Sequence, residues 1–404
     1  MKLLFAFLLS LSITTGFSQQ FKADNVKYKT VYPEDLCNTL KANPDYVILD
    51  VRSDGEFHDT SSMAESLNIG HLKNAMHIDI RQLPARWKEL NAYKDRPLFV
   101  YCSHSQRSRR ASRLLADSGF TRIYNINGGL TNFYAQGIES DPCSSYTIET
   151  TVPYKIISSK QLSSRLASGK PYYIIDIRTD SVFNGLSASE KARIQGKFTS
   201  AVNLPFEKWN SNNSFVVPDK PVLLIDDDGD DSPKAAKMLM ARGVKDVSVL
   251  FGGMDEWSSF AVNEGKQSYW TRKLNYEVIS GDALNDMIKS GKKLTLIDIR
   301  SSAEFNNQSK NYWQNIGQIK NAVNIPFSEL KQGNQLPSKS EPIVLYGFNN
   351  EDLLYDAAAW MASQGYQHVS VLEGGIWHLR WAAHNIKGKS ALSELVMNVP
   401  AENQ

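Results

Sequence analysis

Cys102 closes the apolar run Phe99-Val100-Tyr101 and opens the polar stretch Ser103-His104-Ser105-Gln106-Arg107-Ser108. A cysteine in that setting can act as a nucleophile, and it is the thiolate that attacks. Arg107, Arg109, Arg110 and Arg113 add formal positive charge close by. A helix that starts within the loop would turn its free N–H groups and the positive end of its dipole toward the sulfur. Both features favour the thiolate. A cysteine that merely fills a core at a strand end needs no such neighbours.

The elements that must hold this loop follow from the flanking pattern. Leu98 to Tyr101 reads as a strand, and Ala111, Leu114 and Leu115 recur at helical spacing after the loop. The cysteine thus sits at the carboxyl end of a strand, where open α/β sheets place their ligands. The strand belongs to a repeat. Asp50-Val51-Arg52 returns as Asp176-Ile177-Arg178 and Asp298-Ile299-Arg300, and Gly128-Gly129 as Gly252-Gly253 and Gly374-Gly375, at intervals of about 122 to 126 residues. Gly70-His71-Leu72 keeps the same step through Gly196-Lys197-Phe198 and Gly317-Gln318-Ile319. The chain is therefore expected to hold three tandem α/β domains over 25–140, 150–263 and 272–388. Each is expected to be a small parallel sheet flanked by helices. In the first, strands are expected at Tyr46–Val51, Ala75–Ile78, Leu98–Tyr101 and Arg122–Asn125. Helices are expected at Pro33–Lys41, Leu83–Leu90 and Arg107–Ser118. The double glycine closes each unit where a strand turns into the last helix and the backbone needs positive φ or close approach. The tail after Lys389 shows no period and is expected to be loosely held.

Residues 1–18 read as a signal peptide: Lys2 is the positive end, Leu3 to Leu11 the apolar core, and Gly16-Phe17-Ser18 the cleavage site. The protein is then expected in a bacterial periplasm or outside the cell. No cysteine at the cleavage point indicates a lipid anchor, and no later stretch has the length of a transmembrane helix. A net charge of +2 gives no general case for nucleic acid or an acidic membrane surface. Three cysteines are present, Cys37, Cys102 and Cys143. Cys37 and Cys143 could pair, but domains of this size need no staple, so both are expected to be free. No metal-ligand cluster, nucleotide loop or flavin motif is visible, and no cofactor is implied.

Asp-x-Arg after an apolar strand, Gly-His-Leu-x-x-Ala, Tyr-Cys-x-x-x-x-Arg-Ser and the closing Gly-Gly together resemble the rhodanese-like sulfurtransferase domain, three times over. The resemblance implies a five-stranded parallel sheet and a Cys102 that accepts sulfane sulfur as a persulfide. The donor would be thiosulfate or a persulfide, and the acceptor a thiol, cyanide or a protein. Arg107 would bind the oxyanion end of the donor through paired hydrogen bonds. Backbone N–H groups from Ser103 to Ser108 would cradle the persulfide anion. Ser108 would donate to the sulfur or cap the helix, and Ser103, His104, Ser105 and Gln106 would complete the binding loop. His104 is expected at its exposed apex. Ser105 stands where many relatives carry glycine. Phosphatases and arsenate reductases of this fold resemble Cys-x5-Arg, one residue longer, which suits a phosphate rather than a single sulfur.

Asp50, Arg52 and Glu56 are expected to be structural, because the other copies keep Asp176/Arg178 and Asp298/Arg300 without a cysteine. His71 is replaced by Lys197 and Gln318 and is expected to be a local hydrogen-bonding residue. Alignment of the copies puts Asp226 at the cysteine position in the second and Gly347 in the third. The second loop carries five acids, Asp226, Asp227, Asp228, Asp230 and Asp231. Such a pocket is expected to be unable to hold an anion and to be a solvated acidic loop. Two copies would then be inactive, and a non-enzymatic scaffold or sulfur carrier is the alternative to an enzyme.

Overall fold

The computed structural model describes residues 27–139, 143, 146–170, 172–209, 219–264, 268–333 and 336–400. The apolar N-terminal stretch with its cleavage point, and most of both inter-unit links, lie outside the described residues.

Three five-stranded parallel sheets share one strand order. In the first, Lys29–Val31, Ile123–Ile126, Leu98–Tyr101, Val47–Asp50 and Met76–His77 lie side by side. The second repeats this with Lys155–Ile157, Val247–Leu250, Val222–Ile225, Tyr173–Asp176 and Val202–Asn203. The third does so with Glu277–Ile279, Val369–Leu372, Ile343–Tyr346, Thr295–Asp298 and Val323–Asn324. Even the register repeats: Asp50 lies opposite Tyr101, Asp176 opposite Ile225 and Asp298 opposite Tyr346.

The strand Leu98–Tyr101 is central and covered on both faces, which is why it is apolar throughout. Its side chains alternate. Phe99 and Tyr101 pack with Leu36, Leu40, Leu130 and Phe133, while Leu98, Val100 and Cys102 pack with Ala111 and Leu115 of the helix Gln106–Asp117. The period of two therefore aims the sulfur at the face of the helix that follows it.

The outer strand Lys29–Val31 has no counterpart among the elements expected from sequence, because three residues are too few to show a period. The expected helix at Leu83–Leu90 is one α turn, Leu83–Arg86, running on as a 3-10 helix, Trp87–Tyr93. Pro33–Lys41 is a helix as expected.

Two expectations are corrected. Cys37 and Cys143 form a disulfide. It ties the first helix to the chain leaving the first unit, so it secures a connection and not a weak core. The tail is also held: Ser390–Leu395 is a 3-10 helix, and Val396–Met397 pairs antiparallel with Gln318–Ile319. The same seam joins His71–Leu72 to Ile148–Glu149 and Lys197–Phe198 to Trp270–Thr271. Each unit thus borrows a two-residue strand from the chain that leaves it, and the tail performs for the third unit what the links perform for the first two.

Each unit touches the other two. The Tyr134 ring stacks on Phe251 at 4.8 Å, and Ser66 N–H donates to Asp230 Oδ1 at 2.9 Å. Ser189 Oγ–H donates to Asp352 Oδ1 at 2.6 Å. Lys387 pairs with Asp35 at 2.7 Å, which closes the third unit onto the first. Among the described residues no helix is long and apolar enough to cross a membrane.

Candidate active site in the first unit

The loop is set from behind by the double glycine. Gly128 and Gly129 adopt φ of 75° and 62°, and a Cβ on Gly129 would lie 2.3 Å from Cys102 O. That approach lets Leu130 N–H donate to Cys102 O at 2.8 Å and Thr131 N–H to Ser103 O at 3.1 Å. The other units repeat the pair: Met254 and Asp255 donate to Asp226 and Asp227 carbonyls at 2.9 Å each, and Ile376 and Trp377 to Gly347 and Phe348 at 3.1 and 2.9 Å. Asp226 and Gly347 are therefore the spatial counterparts of Cys102.

Beneath the loop, Arg52 and Asp50 form a fully buried pair at 2.7 Å, and Arg52 Nη2 also donates to Gly70 O at 2.7 Å. Arg178 with Asp176 and Gly196 O, and Arg300 with Asp298 and Gly317 O, make the same clamp. Its presence in units without a cysteine bears out a structural role. His71 is less of a hydrogen-bonding residue than expected: it stacks on Phe57 at 4.3 Å, and its buried Nδ1 has no hydrogen-bond partner.

Cys102 is buried and is the one cysteine outside the disulfide. Its sulfur lies 3.6 Å from Ser108 Oγ, which in turn donates to Ser105 O at 3.1 Å. Ser108 here accepts from the thiol and makes no N-cap; the residue at the cap is Ser105, whose side chain makes no capping bond. Ser103 Oγ accepts from Arg107 Nη2 at 2.7 Å, and His104 is exposed with Nδ1 2.9 Å from Ser103 Oγ. Gln106 begins the helix and is half-buried. Ser105 holds the left-handed conformation, φ 76°, that glycine would adopt freely. Its hydroxyl compensates by accepting from Gly128 N–H and donating to Asn127 Oδ1 at 3.2 Å.

Of the four arginines, Arg107 is bonded to this loop through Ser103 Oγ. Arg107 makes a bidentate pair with Glu56 at 2.6 and 2.7 Å. Arg109 turns away into a buried joint with the third unit, 2.8 Å from Asn127 Oδ1. Arg110 is exposed further along the helix. Two of the charges suggested by the sequence are thus already engaged, Arg107 by Glu56 and Arg109 by the joint with the third unit.

Glu56 is the residue that sequence reasoning undervalued. It closes a capping box with Ser53, receiving Ser53 N–H at 3.1 Å and Ser53 Oγ–H at 2.8 Å, and its carboxylate holds the loop arginine as well. Burial alone would raise its pKa, but the Arg107 guanidinium and the Ser53 donors hold it at about 2. Burial alone would lower Arg107, yet Glu56 raises it above the ordinary arginine value. The signal was present as Ser53-x-x-Glu56 ahead of a helix, but the pattern does not say what else the glutamate touches.

The second loop corrects an expectation. Asp226 is buried, and its carboxylate accepts from Gly229 N–H at 2.9 Å and from Asp231 and Ser232 N–H at 2.7 Å each. This cradle does hold an anion, and the anion is its own aspartate. Burial raises the Asp226 carboxyl to about 6 against the pull of those three donors. The charges of Asp227, Asp228 and Asp231 lie outside, exposed. In the third unit Gly347 leaves the position without a nucleophile, and a Cβ there would meet nothing nearer than 3.7 Å. Among the described residues no group of histidine, cysteine and carboxylate side chains is arranged to hold a metal ion.

Comparison with known proteins bears on these three loops together. The model of the rhodanese-like domain matches residues 33–136, 158–260 and 280–379. A tRNA uridine(34) hydroxylase of Cytophaga hutchinsonii is 33% identical over 103 residues, 25% of this chain and 29% of that protein. The uncharacterized protein YqhL of Bacillus subtilis is 37% identical over 82 residues, 20% of this chain and 56% of that protein. Among solved structures, a thiosulfate sulfurtransferase of Pseudomonas aeruginosa aligns with 16% identity and a TM-score of 0.23, over 86% of this chain and 66% of that one. The matched segment thus spans about a third of the hydroxylases it resembles.

Proposed function

The chain belongs to the rhodanese-like family, with three such domains in tandem, and from that premise we propose that it is an exported sulfurtransferase with one active centre, Cys102. The Cys102 thiolate attacks the outer sulfur of thiosulfate or of a persulfide. The S–S bond of the donor breaks, sulfite or a thiolate leaves with the electron pair, and Cys102 carries the transferred sulfur as a persulfide. A thiol, cyanide or a protein thiolate then attacks that outer sulfur, and Cys102 leaves as the thiolate.

One observation carries this reading. An aspartate side chain places its oxygens one bond beyond Cγ, and a cysteine persulfide places its outer sulfur one bond beyond Sγ. Asp226, at the cysteine position of the second unit, puts a carboxylate into the N–H groups of Gly229, Asp231 and Ser232. The same positions in the first loop are Ser105, Arg107 and Ser108. A Cys102 persulfide anion would reach the same three donors, which supports stabilisation of the intermediate by preorganised dipoles. Arg107 would meet the oxyanion end of thiosulfate, in competition with Glu56. Ser103, His104 and Gln106 line the same loop. The five-residue step from Cys102 to Arg107 favours sulfur over phosphate as the species held.

Export is supported by the signal-like N-terminal residues and by the Cys37–Cys143 disulfide, a bond that persists in oxidising compartments. Incubation of the mature protein with thiosulfate, followed by intact mass, tests the central step. One added sulfur that is absent from Cys102→Ser is expected; an unchanged mass in both would overturn the proposal.

A further inference from the structure

The loop that carries Cys102 is tied to a residue pair far away in sequence. Asn127 Oδ1 accepts from Ser105 Oγ–H at 3.2 Å, and Asn127 Nδ2 donates to His384 O. Arg109 Nη2 donates to Asn127 Oδ1 at 2.8 Å and lies 3.4 Å from Asn385 Oδ1. Asn132 Nδ2 donates to Asn385 O at 3.1 Å. His384 and Asn385 end the helix Gly375–Asn385 of the third unit. Its last carbonyls have no partner within the helix, and its dipole is negative there. Two asparagine amides and a guanidinium of the first unit satisfy both demands. Asn127, Asn132 and Asn385 are fully or almost fully buried, so these bonds do not exchange freely with water.

The chain of contacts ends at the sulfur. From the helix end it runs through Asn127 to the Ser105 hydroxyl, which also receives Gly128 N–H. Ser105 is the residue held at positive φ, and its carbonyl accepts from Ser108 Oγ, the group 3.6 Å from Cys102 Sγ. The other joints differ. Phe251 replaces Asn127 in the second unit and stacks on Tyr134, and Gly229 takes the left-handed conformation, φ 91°, with no side chain to tie. In the third unit Asn350 Oδ1 accepts from Gly374 N–H and Nδ2 donates to Glu373 Oε1, a link that stays within the unit. Polar groups of a neighbouring unit also meet the other two loops, Ser66 N–H at Asp230 and Ser189 Oγ–H at Asp352, but in the first loop the tie passes through the residue before the double glycine to the side chain held at positive φ.

We propose that the C-terminal end of the third unit's last helix positions the Cys102 loop, with Asn127 as the positioning residue that connects them. This rests on reading Cys102 as the sulfur-accepting nucleophile, and it gives a cysteine-less domain a part in the reaction. Cutting the tie should release Ser105 from its strained conformation and let the loop open. A buried thiol would then become easier to reach, while its alignment with the cradle is lost.

The full-length mature protein tests this with two opposed readouts: the rate of sulfur loading from thiosulfate in a single turnover, and the rate of Cys102 alkylation by iodoacetamide. Asn127→Ala should slow loading about tenfold and speed alkylation several-fold. Asn385→Ala, a second variant with the first unit intact, should shift both in the same directions by less. Lys387→Ala removes the exposed pair with Asp35, another contact between the same two units, and should change neither. Wild-type rates in both asparagine variants, or equal shifts in Lys387→Ala, would overturn the proposal. If the wild type loads no sulfur, the sulfurtransferase reading fails by itself, and the alkylation rates still decide whether the tie controls the loop.

Discussion

The first and second loops share one backbone and differ in what fills it. Both follow a central buried strand, both are braced by N–H groups of the last helix, and both stand on an Asp–Arg clamp. In the second, a carboxylate fixed to the chain occupies the donors. In the first, the matching side chain is a thiol that donates to Ser108 Oγ at 3.6 Å. The difference teaches that one backbone can fill its N–H donors with a carboxylate of its own, as at Asp226, or carry there a thiol such as Cys102, for which an exchangeable anion is proposed. The charge five positions on follows suit. Arg107 would welcome an anionic donor, whereas Asp231 pairs locally with Lys234 and Asp352 serves the joint with the second unit.

That comparison can be broken or sharpened by moving residues between the loops. Cys102→Asp should convert the first loop into the second. Sulfur transfer should vanish, thermal stability should stay near wild type, and a crystal structure should show the new carboxylate accepting from Ser105, Arg107 and Ser108 N–H. A carboxylate turned away from those groups would contradict the equivalence. Arg107→Asp keeps the nucleophile and reverses the charge, leaving Glu56 buried beside a second carboxylate. Steady-state kinetics should show kcat/KM for thiosulfate reduced by about a hundredfold or more.

Glu56→Gln is gentler, because the amide keeps one bond to Arg107 while freeing it for the donor. The KM for thiosulfate should fall a few-fold. The carboxyl of Glu56 ionises at about 2 in the folded protein against an ordinary value of 4.5. The folded state therefore holds its proton less tightly than the unfolded one. The stability this adds is fully present above about 4.5 and is lost as pH falls toward about 2. Acid unfolding followed by circular dichroism should be shallower over that window in Glu56→Gln. The smallest effect is expected from Asp226→Cys on a Cys102→Ser background. The exposed acids of the second loop repel thiosulfate, so no turnover should return.

The repeat, the parallel α/β units and the loop around Cys102 were legible because each is written in adjacent residues: apolar runs of four, paired glycines, a cysteine at a strand end. The links that set the site were not. Asn127 and His384 are 257 positions apart, and nothing about an asparagine before two glycines announces a partner in another unit. Arg109 looked like one more charge for the sulfur, because helical spacing cannot say that its side chain is drawn into a joint. The seam strand at Val396–Met397 is two residues long, too short for any period to reveal. The disulfide was missed because core size was the wrong criterion: it fastens a connection.

The most direct measurement is thiocyanate formation from thiosulfate and cyanide by the mature protein, beside Cys102→Ser. Turnover in the wild type that disappears in the variant is the predicted result and assigns sulfur transfer to Cys102. Equal turnover in both, or none in either together with no added sulfur on Cys102, would contradict the account and leave three rhodanese-like domains that bind without transferring sulfur.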